Sequence, residues 1–438
     1  MNRNAFLHAA SMRYPDYIER HYQFPRFYRI APRFPRPRID SIPHSVREAM
    51  ARQWPESGIK AGDKIGIGVG SRGIRNITEI TRLICQEIRD RGASPFLLPA
   101  MGSHGGATSQ GQEKILAALG ITPETCGGPI LSGMEVRRIA TVFGKVPVYY
   151  AKDALDMDSC ICVNRIKPHT KFRGTVESGI AKMLCVGMGK HMGALTYHKW
   201  ALQYGFSNLL AAWARKAVSA GNFRFGIGIV ENAHDETCRI ESVSGNQLIE
   251  EEKELLAFAR DHMPRLPVQS ADVLVVKRIG KEISGSGMDP NITGRTNDLM
   301  ENDFSNHFQC KRLAILNLSP KSQGNGLGIG NADFITDKVY QNLDYETTVM
   351  NALTSFSIRK AAIPVRLPTD EKVLQACFTT IGPVPANQVE AILIRDTLDI
   401  SNFLVSQKLL KKLEGRADLQ IGESLELEFD VAGNIVSL

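Results

Sequence analysis

The sequence predicts an α/β protein of two domains with mostly parallel or mixed sheets. Three observations carry that expectation. Short apolar runs bounded by glycine alternate with segments of helical spacing through the first half, as in strands joined by crossover helices. The same alternation restarts at 271–276, just after prolines at 264 and 267 that mark a linker. And 438 residues are too many for a single core. The expected divisions are an N-terminal domain, 1–266, and a C-terminal domain, 268–419, with strands near 420–438 returning to the first.

Residues 1–60 read as an irregular arm ending in a short helix near 46–53. The run 64–70 is a buried strand. Ile77, Ile80, Ile84 and Ile88 then line one face of a helix that Gly92 stops. A strand at 95–99 leads to a loop carrying His104, and Thr108 or Ser109 caps the helix that follows. A hairpin at 136–142 and 146–150 precedes a buried strand at 158–163, and the stretch 164–199 leaves its carboxyl end. That stretch has neither strand alternation nor a long helical stripe. A helix near 207–219, a strand at 225–230, a hairpin-like 236–243 and a charged helix at 247–262 complete the domain. The second domain is expected to hold strands at 271–276, 312–318 and 390–394, and helices near 333–341, 344–353, 371–376 and 403–413.

Composition narrows the function. At 43% hydrophobic and 23% charged residues the chain has the balance of a soluble globular protein. Its net charge of +7 owes much to the arginines between 13 and 38, interleaved with Tyr, Phe and Pro. No nucleic-acid-binding module accompanies them, so a proline-rich arm is the expectation. A mildly basic surface suits small anionic substrates. No apolar run approaches the roughly 18 residues of a membrane span, and the N-terminus lacks the apolar core of a signal peptide. Eight scattered cysteines read as buried thiols of a cytoplasmic protein. Cys160 and Cys162 share a strand face, with no further ligand nearby at zinc spacing.

The chemistry gathers after strands. Arg72 and Arg75 follow the first strand, His104 the second and His169 the strand at 158–163. All lie on the carboxyl edge, where α/β sheets bind ligands. Two histidines facing one cavity can act as acid and base from opposite sides. An arginine there either grips a carboxylate or caps the sheet. Lys182, flanked by apolar and small residues, either snorkels or is desolvated and nucleophilic. Gly187, Gly189 and Gly193 permit close approach of a large ligand. The glycine-rich stretches 281–295 and 322–333 match no nucleotide-binding fingerprint. They are either loops that close over the first domain's edge or plain turns. Lys281 and Arg295 end the first of them and are candidates for substrate contact.

In order and placement, Ser71-Arg72, Gly-Ser-His104-Gly-Gly, Pro-His169, Gly-x-x-Lys182 and His198 resemble the nickel-dependent lactate racemase family. The resemblance implies an active site in the cleft between two α/β domains. It implies a nickel-pincer nucleotide, a pyridinium mononucleotide derivative bearing sulfur and nickel, tied covalently to Lys182, with His198 on the metal. It gives His104 and His169 the acid/base roles and Arg72, less well Arg75, the substrate carboxylate. The reaction implied is racemisation or epimerisation of a 2-hydroxy acid by hydride transfer, and the partners implied are that acid and the cofactor's biosynthetic enzymes. Ser71 stands near where the family carries an acid, and the loop after His104 lacks the family's arginine. A hydroxy acid larger or differently shaped than lactate is therefore expected. The alternatives are a non-catalytic relative binding the cofactor or an organic anion, and a nucleic-acid-associated protein using the arginine-rich arm.

Overall fold

The computed structural model describes residues 12–297 and 304–437. The chain divides into two compact units. One joins the residues before Pro35 to those after Met263; the other is Pro35–Met263. Both are α/β. The first strand, Phe27–Pro32 (β1), belongs to the former unit.

The Pro35–Met263 unit is built on a five-stranded sheet. Its strands are Lys64–Val69 (β2), Ser94–Pro99 (β3), Ser159–Arg165 (β6), Phe223–Glu231 (β7) and Thr237–Ser244 (β8), in the order β3-β2-β6-β7-β8. The hairpin Val136–Val142 (β4) and Val146–Ala151 (β5) stands apart as a two-stranded sheet. β2, β3, β6 and β7 run parallel, and β8 closes the edge antiparallel to β7. The helix Ile77–Asp90 buries the expected Ile77, Ile80, Ile84 and Ile88 against this sheet's core. Gly66 and Gly68 lie opposite Cys160 and Cys162 in the β2–β6 register. A Cβ at Gly68 would stand 2.8 Å from Cys162 Sγ, so these cysteines are the packing partners of glycines.

The other unit holds an eight-stranded mixed sheet. It adds Ser270–Val276 (β9), Gln309–Ile315 (β10), Phe334–Thr336 (β11), Val365–Leu367 (β12), Ala391–Ile394 (β13), Phe403–Ser406 (β14) and Leu419–Leu425 (β15), in the order β12-β11-β10-β9-β13-β14-β1-β15. β9 through β13 are parallel; β14, β1 and β15 are antiparallel to their neighbours. The stretches 281–295 and 322–333 pack on each other here. A Cβ at Gly287 would fall 2.0 Å from Leu327 O, and one at Gly328 the same distance from Ser286 O. Glycine at both positions lets two backbones touch.

Five expectations change. The arm is not irregular throughout, because β1 fills the edge of β14 and buries Phe27 and Ile30. The N-terminal domain therefore begins at Pro35 and not at residue 1. The C-terminal strand β15 pairs with β1 and does not return to the first domain. The helix expected at 403–413 is β14 followed by the short helix Gln407–Leu410. A fully apolar run buried on both faces carries no period that separates strand from helix. For the same reason the helix expected at 333–341 starts as β11. No helix among the described residues is long and apolar enough to cross a membrane.

Candidate active site

In the five-stranded sheet the chain leaves β2 for β3 on one side and β6 for β7 on the other. That reversal lies between β2 and β6, and ligands of open α/β sheets bind beyond the strand ends at such a point. The loops that follow β2, β3 and β6 all emerge on this edge. They carry Ser71 and Arg72, His104, and His169.

The His104 loop is anchored from beneath. Gly105 and Gly106 both have φ near +67°, and a Cβ on Gly105 would stand 2.5 Å from the Gly111 carbonyl carbon. The buried Gln112 amide donates to Gly102 O at 2.9 Å and to His104 O at 3.4 Å. Lys190, 1% exposed, donates from Nζ to Pro99 O at 2.7 Å and to Gln112 Oε1 at 3.4 Å. Burial pushes its pKa down to about 8. The Ser71 hydroxyl is hydrogen-bonded to His104 Nδ1.

The His169 loop is anchored by a carboxylate. Glu177, fully buried, accepts the His169 N–H at 2.6 Å and the Gly174 N–H at 3.1 Å. Arg173 at 2.9 Å and Arg260 at 2.5 Å neutralise it. The His169 ring stacks on Phe172 with centroids 4.4 Å apart, and Phe172 stacks on Phe206 at 5.2 Å. His169 Nδ1 accepts the Lys171 N–H at 3.1 Å, while Nε2 lies 2.8 Å from Lys182 Nζ.

Lys182 ends the short helical turn Ile180–Lys182, which continues through a wide turn at Met183–Gly187 into the helix Lys190–Tyr204. The stretch 164–199, which shows no long helical stripe in sequence, thus supplies the start of a helix. A Cβ on Gly187 would meet Ala100 O at 2.7 Å, so its glycine serves packing against the β3 end. Burial, then the positive charges of Arg72 and Lys167, push Lys182 down to about 8. Of the two readings of Lys182, desolvation is the one that matches this environment. Glu252, buried, accepts the Ala181 N–H at 2.8 Å at the start of that turn, and burial raises its pKa to about 7.

His198 lies on the Lys190–Tyr204 helix, its ring centroid 6.5 Å from Phe206. Its Nδ1 is buried, with no hydrogen-bond partner among the described residues. Burial, with Lys171 and Lys182 adding to it, pushes its pKa down to about 3, so the imidazole is neutral at any ordinary pH. Arg72 makes no hydrogen bond or ion pair among the described residues; desolvation and then Arg165 lower its pKa. Arg75 is engaged through its backbone, its N–H donating to Glu231 Oε1 at 2.6 Å. His191 is exposed. Lys281 and Arg295 belong to the other unit and are used within it. Lys281 Nζ donates to Gly285 O at 3.0 Å; Arg295 pairs with Asp333 at 2.5 Å and donates to Cys310 O at 2.9 Å.

The structure thus gathers Arg72, His169, Lys182 and His198 in one cationic neighbourhood with Lys167 and Lys171. His104 stands on the same edge beside Ser71. Sequence reasoning missed Glu177, Gln112, Lys190 and Glu252, whose importance arises from burial. Among the described residues no group of three or more His, Cys, Asp or Glu could hold a metal alone. A metal here would bring most of its donors with it, and His198, neutral with an unpartnered nitrogen, suits a single protein ligand.

No protein-family model matches the chain, and no curated protein matches it by sequence. Among solved structures, the lactate racemase apoprotein of Thermoanaerobacterium thermosaccharolyticum is similar at a TM-score of 0.52 and 14% identity, covering 88% of this chain and 95% of that one. A protein of Thermotoga maritima reaches 0.46 at 14% identity, covering 76% and 82%. The first likeness is one of fold: a chain of this α/β class shares its architecture with a lactate racemase apoprotein.

Proposed function

We propose that this chain is an isomerase, a racemase or epimerase of a 2-hydroxy acid that works with a nickel-pincer nucleotide. The observation that carries the reading is the meeting of Lys182, with its depressed pKa, and the neutral, unpartnered His198 at one switch point. Lys182 would hold the nucleotide covalently and His198 would ligate its nickel. When bound, that group supplies the acceptor and donor of hydride through which a 2-hydroxy acid loses and regains its Cα hydrogen.

The chain's own residues handle the rest. Arg72, with no hydrogen-bond or ion-pair partner among the described residues, grips the substrate carboxylate. Lys167 and Lys171 strengthen the local preference for an anion. His104 and His169 move the hydroxyl proton, one for each face of the substrate, because the hydroxyl of the two enantiomers points to opposite sides. Glu177 fixes His169 and Ser71 orients His104. Lys281 and Arg295 are not assigned a substrate contact, since both side chains are used inside the other unit.

The test is a chiral screen of 2-hydroxy acids on protein produced together with the cofactor's biosynthetic enzymes. Racemisation of one acid is expected, with an added mass on the Lys182 peptide that Lys182→Ala abolishes. His104→Ala should keep the adduct and lose turnover. Protein with neither adduct nor nickel after such production would overturn the proposal. An adduct without turnover on any acid would favour a binding protein.

A further inference from the structure

Among the described residues no carboxylate acts on Lys182. Among the described residues the charged groups acting on it are Arg72, from the loop after β2, and Lys167, from the loop after β6; Cys185, one turn along, is a buried thiol held neutral. Its one hydrogen-bond partner is His169 Nε2, at 2.8 Å. A neutral imidazole has one donor and one acceptor nitrogen. The Lys171 N–H points at Nδ1 from 3.1 Å, and a backbone N–H can only donate. Nδ1 is therefore the acceptor and Nε2 carries the proton, a tautomer fixed by the network. That Nε2–H faces Lys182 Nζ. An ammonium has three donors and no lone pair, so the hydrogen bond forms only with the free amine.

We infer that His169 is a positioning residue for Lys182 as well as a proton-transfer group: it holds the lysine as a free, nucleophilic amine in the ligand-free site. The chemical class this prepares for is an anionic electrophile, since Arg72 and Lys167 place positive charge beside an amine with an available lone pair. The assignment deepens the proposed function, where Lys182 is the tether, and it also stands without it. The reaction of such an amine with an aldehyde balances simply. The nitrogen attacks the carbonyl carbon, the carbonyl oxygen leaves as water with both amine protons, and an imine remains. Borohydride then delivers a hydride to the imine carbon and water a proton to its nitrogen, leaving a stable secondary amine.

The experiment uses full-length, cofactor-free protein with pyridoxal 5′-phosphate as the anionic aldehyde, trapping with borohydride and peptide mass spectrometry at Lys182. Wild-type labelling should reach its midpoint near pH 8. His169→Leu removes the donor, so labelling near neutral pH should fall roughly fivefold, the weight of one hydrogen bond, and the midpoint should move up. His169→Gln, which keeps an N–H, should restore most of the rate. Nitrogen NMR of histidine-labelled wild type reads the tautomer without any variant, and an Nε2–H signal for His169 is expected. An ordinary lysine midpoint in wild type, an Nδ1–H tautomer, or a folded His169→Leu protein that labels like wild type would each overturn the inference. None of these outcomes depends on turnover of a hydroxy acid, so failure of the racemase reading is separately visible.

Discussion

The Ser71 hydroxyl and His104 Nδ1 are hydrogen-bonded across two loops that are 33 residues apart in sequence. A hydroxyl can donate or accept. It can therefore hold the imidazole in one orientation whether Nδ1 is protonated or bare. A proton-transfer group that must act as acid in one direction and base in the other needs that tolerance.

Ser71→Ala should lower kcat roughly fivefold, the worth of one hydrogen bond, with KM little changed. Ser71→Asp should place a carboxylate against the ring and favour its charged form. The limb of the pH–rate profile that reports His104 should then move to higher pH. Steady-state kinetics across pH on cofactor-loaded protein checks both.

Arg72→Lys keeps the charge but loses the planar fork. The expected result is a KM for the 2-hydroxy acid raised about tenfold, with Arg72→Ala raising it further. Equal KM values for all three proteins would remove Arg72 from the substrate site.

Glu252 ties stability to pH. Burial raises its carboxyl from 4.5 to about 7, so between those values the folded protein holds a proton that the unfolded chain has released. The contribution is complete below about 4.5 and is lost as pH rises through about 7. The difference is worth about 3 kcal/mol. Glu252→Gln can still accept the Ala181 N–H yet cannot ionise. Urea unfolding from mildly acidic to mildly alkaline pH should show wild type losing stability relative to the variant. His198 and Lys182 slope the other way, because their folded pKa values lie below the unfolded ones. The comparison with the variant cancels them.

Glu177→Ala should cost about 3–5 kcal/mol, because it removes the carboxylate that Arg173 and Arg260 pair with and that accepts the His169 and Gly174 N–H groups. A urea midpoint equal to wild type would show that the loop has another anchor.

Much of the site was legible because its residues follow strands. The runs 64–70, 95–99 and 158–163 are apolar enough to read as buried strands, and the polar residues just past them must share an edge if the strands are parallel. That placed Arg72, His104 and His169 together. Their partners were not legible. Nothing in the sequence separates Gln112 or Glu252 from any polar residue on a helix; only packing shows that Gln112 has 0% exposure and that Glu252 lies under the start of the Lys182 turn. Arg295 read as a ligand-facing cation, yet Asp333, 38 residues on, claims it.

The sequence by itself determined the class of fold, the parallel core of the first sheet and the edge on which chemistry collects. Apolar periodicity and turn residues are local, and they suffice for that. Only the tertiary structure decided that the arm is a strand of the second sheet, since β1 is defined by the open edges of β14 and β15 and not by its own pattern. It also decided the chemical state of the site. A lysine's pKa depends on the solvent it has lost and the charges brought near it, and a histidine's tautomer on which neighbour donates to it. For Lys182 and His169 those neighbours are Arg72, Lys167 and the Lys171 N–H, and Arg72 reaches them only through the fold.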